Sequence, residues 1–179
     1  MTGRPSRERL SAVQLVVFDV DGVLTDGRLH CSASGEITHA FHVRDGLAFM
    51  KAFLARFPVA IISGRHSAGV ARRLRELRVT HITQGSANKS GSLLSLCDEV
   101  GINPQATAFV GDDVNDLPAM REVGLPVCVA DAVPEVKSYL AERGGWVLGT
   151  PGGAGAGREV LQAVLEARGL WKPELDQGP

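Results

Sequence analysis

The sequence contains few cysteines. Three occur in 179 residues, at Cys31, Cys97 and Cys128. Because their number is odd, they are widely spaced and none forms a CxxC pattern, we expect neither a zinc site nor a disulfide framework. Cys128 lies in a short apolar run and is predicted to be a small buried hydrophobic residue. The cysteines are therefore compatible with the reducing cytoplasm.

Long apolar runs and an excess of one charge are also missing. No stretch approaches the ~20 apolar residues that span a bilayer, and no signal-peptide hydrophobic region precedes Leu15. The formal net charge is −1, so there is no electrostatic reason to expect a nucleic acid or membrane partner. The one basic cluster, from Arg4 to Arg9, is interpreted as a solvated terminus. We expect a cytoplasmic protein with a small-molecule substrate.

The length bounds the domain organisation. A chain of 179 residues can bury one sizeable core but is short for two domains. We predict a single domain over 1–179, with a core at about 14–170 and flexible ends at 1–11 and 172–179.

Short apolar runs alternate with segments of helical periodicity. Alternating strands and helices of this kind favour an α/β fold with a doubly wound parallel sheet covered on both faces. The predicted strands are 14–18, 59–62, 106–110 and 126–129, with a possible fifth at 146–148. The predicted helices are 46–57, 68–78, 88–100, 116–123 and 158–170.

Two segments depart from this alternation. Residues 28–43 place Ser34 and Gly35 between two moderately alternating runs, which predicts a β-hairpin inserted after the first strand. Residues 144–157 are dense in glycine and are predicted to form a mobile connection before the last helix. No second domain or large cap is expected.

Polar residues follow the predicted strands. Because ligands of open α/β sheets bind outside the carboxyl ends of the strands, we expect these side chains to share one edge of the sheet. The first strand is followed by Asp19 and Asp21, the second by Ser63, Gly64 and Arg65, and the third by Asp112, Asp113 and Asp116, while Lys89 begins a helix between the last two.

This set has a chemical logic. Clustered carboxylates repel one another unless a cation neutralises them, and oxygen ligands without His or Cys favour Mg²⁺. A carboxylate can attack phosphorus, and a second can exchange protons with the leaving alcohol and water. A lysine and a hydroxyl can bind the phosphoryl oxygens.

Each residue alone has an ordinary interpretation. Asp19 and Asp116 could be turn or helix-cap residues, Ser63 a turn residue and Lys89 a surface lysine. Their joint occurrence in this order, at strand ends and a helix start, favours the functional interpretation.

The motifs resemble those of the haloacid dehalogenase superfamily phosphatases. The matching segments are FDVDGVLT from Phe18, ISGR from Ile62, Lys89, and GDDVND from Gly111. Asp26–Gly27, FHVRDG from Phe41, THITQGSANK from Thr80 and VCVADA from Val127 further resemble a subgroup without a large cap that acts on phosphorylated sugar acids of lipopolysaccharide biosynthesis.

The resemblance implies a role for each motif residue. Asp19 would be the nucleophile and a Mg²⁺ ligand, and Asp21 the acid/base, with its backbone carbonyl on the metal. Asp112 would complete the protein ligands, supported by Asp113 and Asp116. Ser63, Gly64 and Lys89 would hold the phosphoryl group. Members of this type form homotetramers in which the hairpin, here residues 28–43, lets a neighbour close the active site.

The resemblance also bears on substrate choice. Arg65 resembles the type that acts on an eight-carbon sugar acid phosphate, and Arg65 with Arg73 could bind the substrate carboxylate. Arg73 is equally compatible with a solvated helix face. Ala154 follows Gly152 and Gly153 where the subgroup usually has a basic residue, which implies either a weaker contact with the substrate or a different substrate.

Other functions stay open at this point. A nine-carbon sugar acid phosphate is an alternative substrate, and a non-catalytic partner of a sugar-nucleotide synthetase is an alternative role. A receiver domain of a signalling switch uses similar residues, but its acidic pair comes first in the chain, whereas here the adjacent pair Asp112–Asp113 comes last.

Overall fold

A computed structural model describes residues 3–171 of the chain. Its centre is a six-stranded parallel sheet in the order β5-β4-β1-β6-β7-β8. The strands are β1 (Leu15–Phe18), β4 (Val59–Ile62), β5 (His81–Thr83), β6 (Thr107–Gly111), β7 (Leu125–Cys128) and β8 (Trp146–Val147). The chain runs outward from β1 to β5 and then returns to β6 on the other side of β1. This reversal lies between β1 and β6, where a doubly wound sheet binds its ligand.

Helices cover both faces of the sheet. The helices are α1 (Arg7–Ser11), α2 (Val43–Leu54), α3 (Ala68–Glu76), α4 (Lys89–Val100), α5 (Leu117–Met120), α6 (Pro134–Arg143) and α7 (Ala156–Ala167), with 3₁₀ turns at Pro104–Ala106 and Val114–Asp116. Helix α2 packs on α7, and α4 packs on α5. Within residues 3–171, no helix is long and apolar enough to cross a membrane.

The central strands form the floor of the core. Every residue of β1 and β4 is buried, and Phe18 of β1 packs on Phe49 of α2 with ring centroids 5.4 Å apart. Continuous β-branched and apolar runs are typical of parallel strands buried on both faces. The predicted doubly wound α/β fold with no large cap is confirmed, whereas α1, β5 and α6 were not predicted.

The predicted hairpin is present but very short. Strands β2 (His30–Cys31) and β3 (Ile37–Thr38) form an antiparallel pair, and in the described part of the chain they pair only with each other. All four strand residues are exposed. A two-stranded hairpin of this size has little stability of its own.

The first residues of the chain differ from the prediction of a flexible end. Residues 7–11 form α1, which packs on α7 and buries Leu10. The Arg9 guanidinium donates hydrogen bonds to the carbonyl oxygens of Gly124 and Gly144. Part of the basic cluster is therefore used to attach the N-terminal helix. The predicted flexible segment 172–179 lies outside the described residues.

The glycine-rich segment also differs from the prediction of a mobile connection. The backbone N–H groups of Gly149 and Thr150 donate to the Glu159 carboxylate at 3.1 and 3.0 Å. The N–H of Gly152 donates to Asp131 Oδ1 at 2.8 Å, and that of Gly153 to the Val23 carbonyl at 3.0 Å. The first two bonds attach the segment to α7 and the third to the loop after β7, while the Gly153 bond holds it against the loop that follows β1.

Candidate active site

Three adjacent strands bring the predicted motif residues to one edge of the sheet. Asp19 follows β1, Ser63 follows β4 and Asp112 follows β6, and these strands are neighbours in the order β4-β1-β6. Their carboxyl ends border an open cavity of about 660 Å³. The lining residues are Asp19, Asp21, Gly22, Gly27, Ser63, Gly64, Arg65, His66, Lys89, Asp112, Asp113 and Asn115.

Lys89 lies between two buried carboxylates. Its Nζ is 2.9 Å from Asp19 Oδ2 and 2.6 Å from Asp116 Oδ1. Burial lowers the pKa of Lys89, but the negative charges of Asp116 and Asp19 outweigh this effect and raise the pKa above its ordinary value. Lys89 is therefore a buried ammonium group, held at the first residue of α4, where Asn88 caps the helix by accepting from Gly91 N–H.

Asp116 is fully buried, and its two oxygens have separate partners. Oδ1 accepts from Lys89, while Oδ2 accepts from the backbone N–H groups of Asp112 and Asp113 at 2.9 and 3.3 Å. Asp113 Oδ1 in turn accepts from Val114 N–H and caps the 3₁₀ turn. Asp116 and Asp113 thus fix the backbone that presents Asp112.

Three carboxylates approach one another closely enough to share an ion. Asp19, Asp112 and Asp116 each offer an oxygen, and these atoms lie within 4.8 Å of one another. Burial, followed by the neighbouring carboxylates, raises the pKa of Asp112 to about 7. Burial and the charge of Asp116 raise the pKa of Asp19 to about 6, opposed by Lys89.

This donor set fits a hard divalent cation. All three groups supply oxygen, and a cation would offset both the burial and the mutual repulsion that raise the pKa values of Asp19 and Asp112. Since both oxygens of Asp116 are already hydrogen-bonded, Asp19 and Asp112 are the side chains best able to ligate it. Mg²⁺ suits such a site because it binds few carboxylates and keeps several waters.

A glycine permits the close approach of the β1 loop to Asp112. Gly22 has a φ of +83°, and a Cβ placed on it would lie 2.0 Å from Asp112 Oδ2. No side chain fits in that space, and the left-handed backbone is unfavourable for residues other than glycine. The glycine of the DxDG pattern is therefore needed to bring the Asp21 loop and Asp112 together.

Asp21 stands apart from the carboxylate cluster and faces two basic side chains. Its Oδ2 accepts from Arg65 Nε at 3.3 Å, and its Oδ1 lies 3.5 Å from Nε2 of His39. The Ser63 hydroxyl, beneath them, accepts from Arg65 N–H at 3.3 Å. Asp21, Ser63 and Arg65 thus lie together at the cavity, as the sequence predicted.

Arg73 does not join them. Arg73 is not among the described residues that line the cavity. Its guanidinium lies 3.4 Å from the Glu76 carboxylate, and a Cβ placed on Gly46 of α2 would lie 3.1 Å from its Nη2. The helical register of α3 points it towards α2, away from the end of β4. Of the two arginines predicted for the substrate site, Arg65 lines the cavity, and a role for Arg73 in binding the substrate stays a prediction.

The glycine-rich segment directly contacts the loop that follows β1 and carries Asp21. A Cβ on Gly152 would lie 1.9 Å from the Gly22 carbonyl oxygen, and one on Gly153 would lie 2.4 Å from Asp26 N. We call residues 149–155 the glycine strap. Ala154, which replaces the usual basic residue, is exposed. The strap therefore supports the Asp21 loop through its backbone.

Sequence reasoning missed several residues of this region. His66 and Asn115 line the cavity, His39 reaches Asp21, and Asp131 holds the strap. Asp131 falls in the VCVADA segment that carried part of the resemblance, so that segment could have indicated it. His39 lies in the hairpin, where the pattern predicted only pairing, and no local signal points to Asp21.

Comparison with protein families gives the class of this fold and site. Residues 75–142 match the family model for haloacid dehalogenase-like hydrolases. The matched region includes Lys89 and the loop that carries Asp112 and Asp116.

Comparison with individual proteins is more specific. The chain is 40% identical over 163 residues to 3-deoxy-D-manno-octulosonate 8-phosphate phosphatase KdsC of Haemophilus influenzae, covering 91% of this chain and 88% of that protein. It is 42% identical over 157 residues to KdsC of Escherichia coli K12, covering 88% and 81%. The chain therefore belongs to the 3-deoxy-D-manno-octulosonate 8-phosphate phosphatase family.

A solved structure agrees with this assignment. The 3-deoxy-D-manno-octulosonate 8-phosphate phosphatase of Moraxella catarrhalis, crystallised with a magnesium ion, a phosphate ion and a KDO molecule, superposes with a TM-score of 0.85 at 35% identity. The match covers 91% of each chain. Fold, site and relatives thus agree on a phosphatase.

Proposed function

We propose that this protein hydrolyses 3-deoxy-D-manno-octulosonate 8-phosphate through a phosphoryl intermediate on Asp19. The observation that carries the proposal is the placement of Asp19 beside Lys89, 2.9 Å from its ammonium group, at the base of an open cavity. An anionic carboxylate and a buried cation side by side can attack a phosphate ester and bind its charge. The relatives named above supply the substrate.

The side chains divide the reaction into two steps. In the first, an Asp19 oxygen forms a bond to phosphorus, the bond from phosphorus to the sugar oxygen breaks, and Asp21 gives its proton to that oxygen. In the second, water attacks phosphorus, Asp21 takes the water proton and the Asp19–phosphorus bond breaks. Phosphate is released and both carboxyl groups return to their starting states.

Lys89 and Ser63 would hold the transferred group. Both are buried at the base of the cavity, with 4% and 3% of their surface exposed. An ammonium and a hydroxyl fixed in a site that excludes bulk water stabilise charge on the phosphoryl oxygens more strongly than they would in water. Gly64, next to Ser63, leaves room for the phosphoryl group at the cavity wall.

A Mg²⁺ ion held by Asp19, Asp112 and the backbone carbonyl of Asp21 would supply Lewis-acid neutralisation of the phosphate charge. The pKa of Asp112, raised to about 7 by burial and by its neighbours, supports this part of the proposal. Without a compensating cation, the Asp112 carboxyl would be only partly ionised near neutral pH.

Arg65 is the side chain best placed to select the sugar acid. It lines the cavity, and its side chain is 48% exposed. A guanidinium can pair with the carboxylate of the substrate. A nine-carbon sugar acid phosphate is the second candidate substrate, because Ala154 removes a basic group from the strap and Arg73 lies elsewhere.

We further propose a homotetramer that assembles through the hairpin at residues 28–43. The support is the exposure of apolar side chains in this segment, 40% for Ile37 on β3 and 78% for Val43 at the start of α2. An isolated hairpin cannot bury such groups. An Ile37→Lys variant should sediment as a smaller species than the wild type, and an unchanged tetramer would contradict this interface. The cytoplasmic location expected from the sequence stays a prediction.

The central experiment replaces the nucleophile. Asp19→Asn should lower phosphate release from 3-deoxy-D-manno-octulosonate 8-phosphate by at least about 10³-fold while the fold is kept, because the amide is a poor nucleophile. Asp98→Asn, an exposed aspartate on α4, is the matched control and should keep full activity. If Asp19→Asn retained most of the wild-type turnover, the proposed phosphoryl intermediate on Asp19 would be contradicted.

A second experiment separates the candidate substrates. Phosphate release is compared across eight-carbon and nine-carbon keto-sugar acid phosphates, with hexose phosphates as the reference. The proposal expects the highest kcat/KM for the eight-carbon ester. A preference for the nine-carbon ester would support the second candidate. Tight binding to another protein without any hydrolysis would instead favour a non-catalytic role.

A further inference from the structure

His39 lies at the end of the hairpin, yet its side chain is buried. The strand residues before it are exposed, whereas the His39 side chain is only 4% exposed. Its Nε2 has no hydrogen-bond partner among the described residues and no contact with solvent. Leaving such a group unpaired costs about 1–3 kcal/mol, so a buried imidazole nitrogen of this kind calls for a partner.

Asp21 Oδ1 is the complementary atom. It too is buried and without a hydrogen-bond partner among residues 3–171, and it lies 3.5 Å from His39 Nε2. An imidazole N–H and a carboxyl oxygen form a hydrogen bond at about 2.9 Å, so a shift of less than about 1 Å satisfies both atoms. The two unsatisfied groups thus face each other.

The two oxygens of Asp21 therefore have different surroundings. Oδ1 faces the buried imidazole, while Oδ2 is next to Arg65 Nε, at 3.3 Å, in the lining of the cavity. The Arg65 side chain is 48% exposed and can turn away when a substrate enters. Oδ2 is then the oxygen free to exchange a proton with the substrate.

We propose that His39 is a positioning residue that holds Asp21 Oδ1 and so keeps the exchangeable proton on Oδ2, the oxygen that faces the leaving group. The inference rests on the proposed acid/base role of Asp21. It requires only that Nε2 carries a hydrogen, which holds for one neutral tautomer as well as for the cation. When Asp21 is a carboxylic acid, Oδ1 is its carbonyl oxygen and accepts from His39, while the Oδ2 hydroxyl gives its proton to the sugar oxygen.

The test compares two esters with different leaving groups. An alkoxide such as that of the sugar needs protonation, whereas p-nitrophenolate leaves without it. Since kcat/KM reports the first step, His39→Leu should lower kcat/KM for 3-deoxy-D-manno-octulosonate 8-phosphate by about 10- to 100-fold. The same variant should change kcat/KM for p-nitrophenyl phosphate by less than about 3-fold.

Two further variants serve as rescue and control. His39→Gln keeps an N–H donor and should recover most of the activity on the sugar phosphate. His81→Gln changes a histidine on β5 that faces Glu99 and should leave both esters unaffected. If His39→Leu folds poorly, His39→Gln and His39→Phe give the same comparison, since Phe keeps the ring volume without the donor.

The outcomes separate the inference from the proposed function. Equal losses of kcat/KM on both esters would indicate a merely structural role for His39 and overturn the inference, as would the absence of any loss on either ester. In either case wild-type hydrolysis would leave the proposed function intact. A wild-type protein that hydrolyses neither ester would overturn the proposed function and the inference with it.

Discussion

The two ends of the cavity differ in how they are built. At the base, Asp19, Ser63 and Lys89 are at most 5% exposed and come from strand ends and a helix start. At the rim, Arg65 lines the cavity with a side chain that is 48% exposed. The base is fixed by buried ion pairs, whereas the rim consists of loops.

This difference separates chemistry from substrate choice. The groups proposed to act on phosphorus hold one another in place, so changing one disturbs the others. The rim residues contact few neighbours and can be replaced with little effect on the base. A family built in this way can keep its reaction while its substrate changes.

The largest effect should follow the loss of the Lys89 ammonium group at the base of the cavity. Lys89→Met leaves Asp19 and Asp116 buried without the ammonium group that lies 2.9 and 2.6 Å from them. We expect the free energy of unfolding to fall by about 3 kcal/mol in urea titrations and phosphate release to be lost.

The double variant Lys89→Met/Asp116→Asn should recover part of the stability but none of the activity. Lys137→Met on α6 is a control that leaves the cavity intact. If Lys89→Met were as stable as the wild type, the ammonium would not be what makes the buried carboxylates tolerable.

The next effect concerns the metal. Added Mg²⁺ at 100 times its Kd should stabilise the wild type by about 2.7 kcal/mol, read as a rise in Tm. Asp112→Asn should raise the Tm measured without Mg²⁺, because it removes a carboxyl whose pKa is raised to about 7 by burial and neighbouring charge. It should also reduce the Mg²⁺-induced rise.

If Mg²⁺ raised the Tm of Asp112→Asn as much as that of the wild type, the ion would bind at another site. Asp98→Asn should respond to Mg²⁺ as the wild type does.

A third effect concerns a buried carboxyl outside the cavity, and it tests whether burial alone raises a carboxyl pKa as it does at the base of the cavity. Asp45 on α2 is 3% exposed and accepts from Arg158 N–H at 2.7 Å, but lies outside the cavity lining. Burial raises its pKa to about 6, opposed by the N–H groups of Arg158 and Gly157 and by His42. Between about pH 4 and 6 the folded state then binds more protons than the unfolded state, so stability due to Asp45 falls as pH rises.

Asp45→Asn removes this titration. The drop in the free energy of unfolding from pH 4 to pH 7 should be smaller than in the wild type by about 2 kcal/mol, measured by urea titration at each pH in excess Mg²⁺. Activity should change little. An identical pH dependence in both proteins would mean that Asp45 ionises as readily when folded as when unfolded.

The smallest effect is expected at the rim. Arg65→Ala should raise KM for the sugar acid phosphate by about 10-fold, equivalent to ~1.4 kcal/mol, with a smaller change in kcat. The KM for a hexose phosphate, which has no carboxylate, should stay the same. Arg72→Ala on α3, with a side chain that is 82% exposed, is the control. A loss of kcat without a change in KM would indicate that Arg65 acts through its contact with Asp21 rather than by binding the substrate.

The sequence predicted the base of the cavity well and the rim poorly. Asp19, Ser63 and Asp112 each follow a strand with a strong apolar pattern, so the sheet topology brings them together. Helical spacing gives the angle of Arg73 on α3 but not which neighbour that face meets, and in the structure it meets α2 beside Gly46. His39 and Asp131 act through contacts between distant parts of the chain, which local patterns cannot show.

The missed elements share a physical cause. Strand β5 has three residues, none of them buried, and α6 buries only Val136 and Leu140, so neither gives a strong apolar period. The high glycine content of residues 144–157 led to the prediction of a mobile segment. Glycine is also required where one backbone packs tightly against another. In the glycine strap, Gly152 and Gly153 serve this close backbone packing.

The contact of the strap with the Gly22 loop has a consequence for biosynthesis. Gly152 approaches the Gly22 carbonyl so closely that no side chain fits between them, and Gly153 N–H bonds to Val23. During translation the ribosome completes Asp19, Lys89 and Asp116 well before it reaches residue 152. A nascent chain that already holds every proposed catalytic group therefore still lacks the backbone that braces its acid/base loop, and activity should begin only when the last part of the domain has docked.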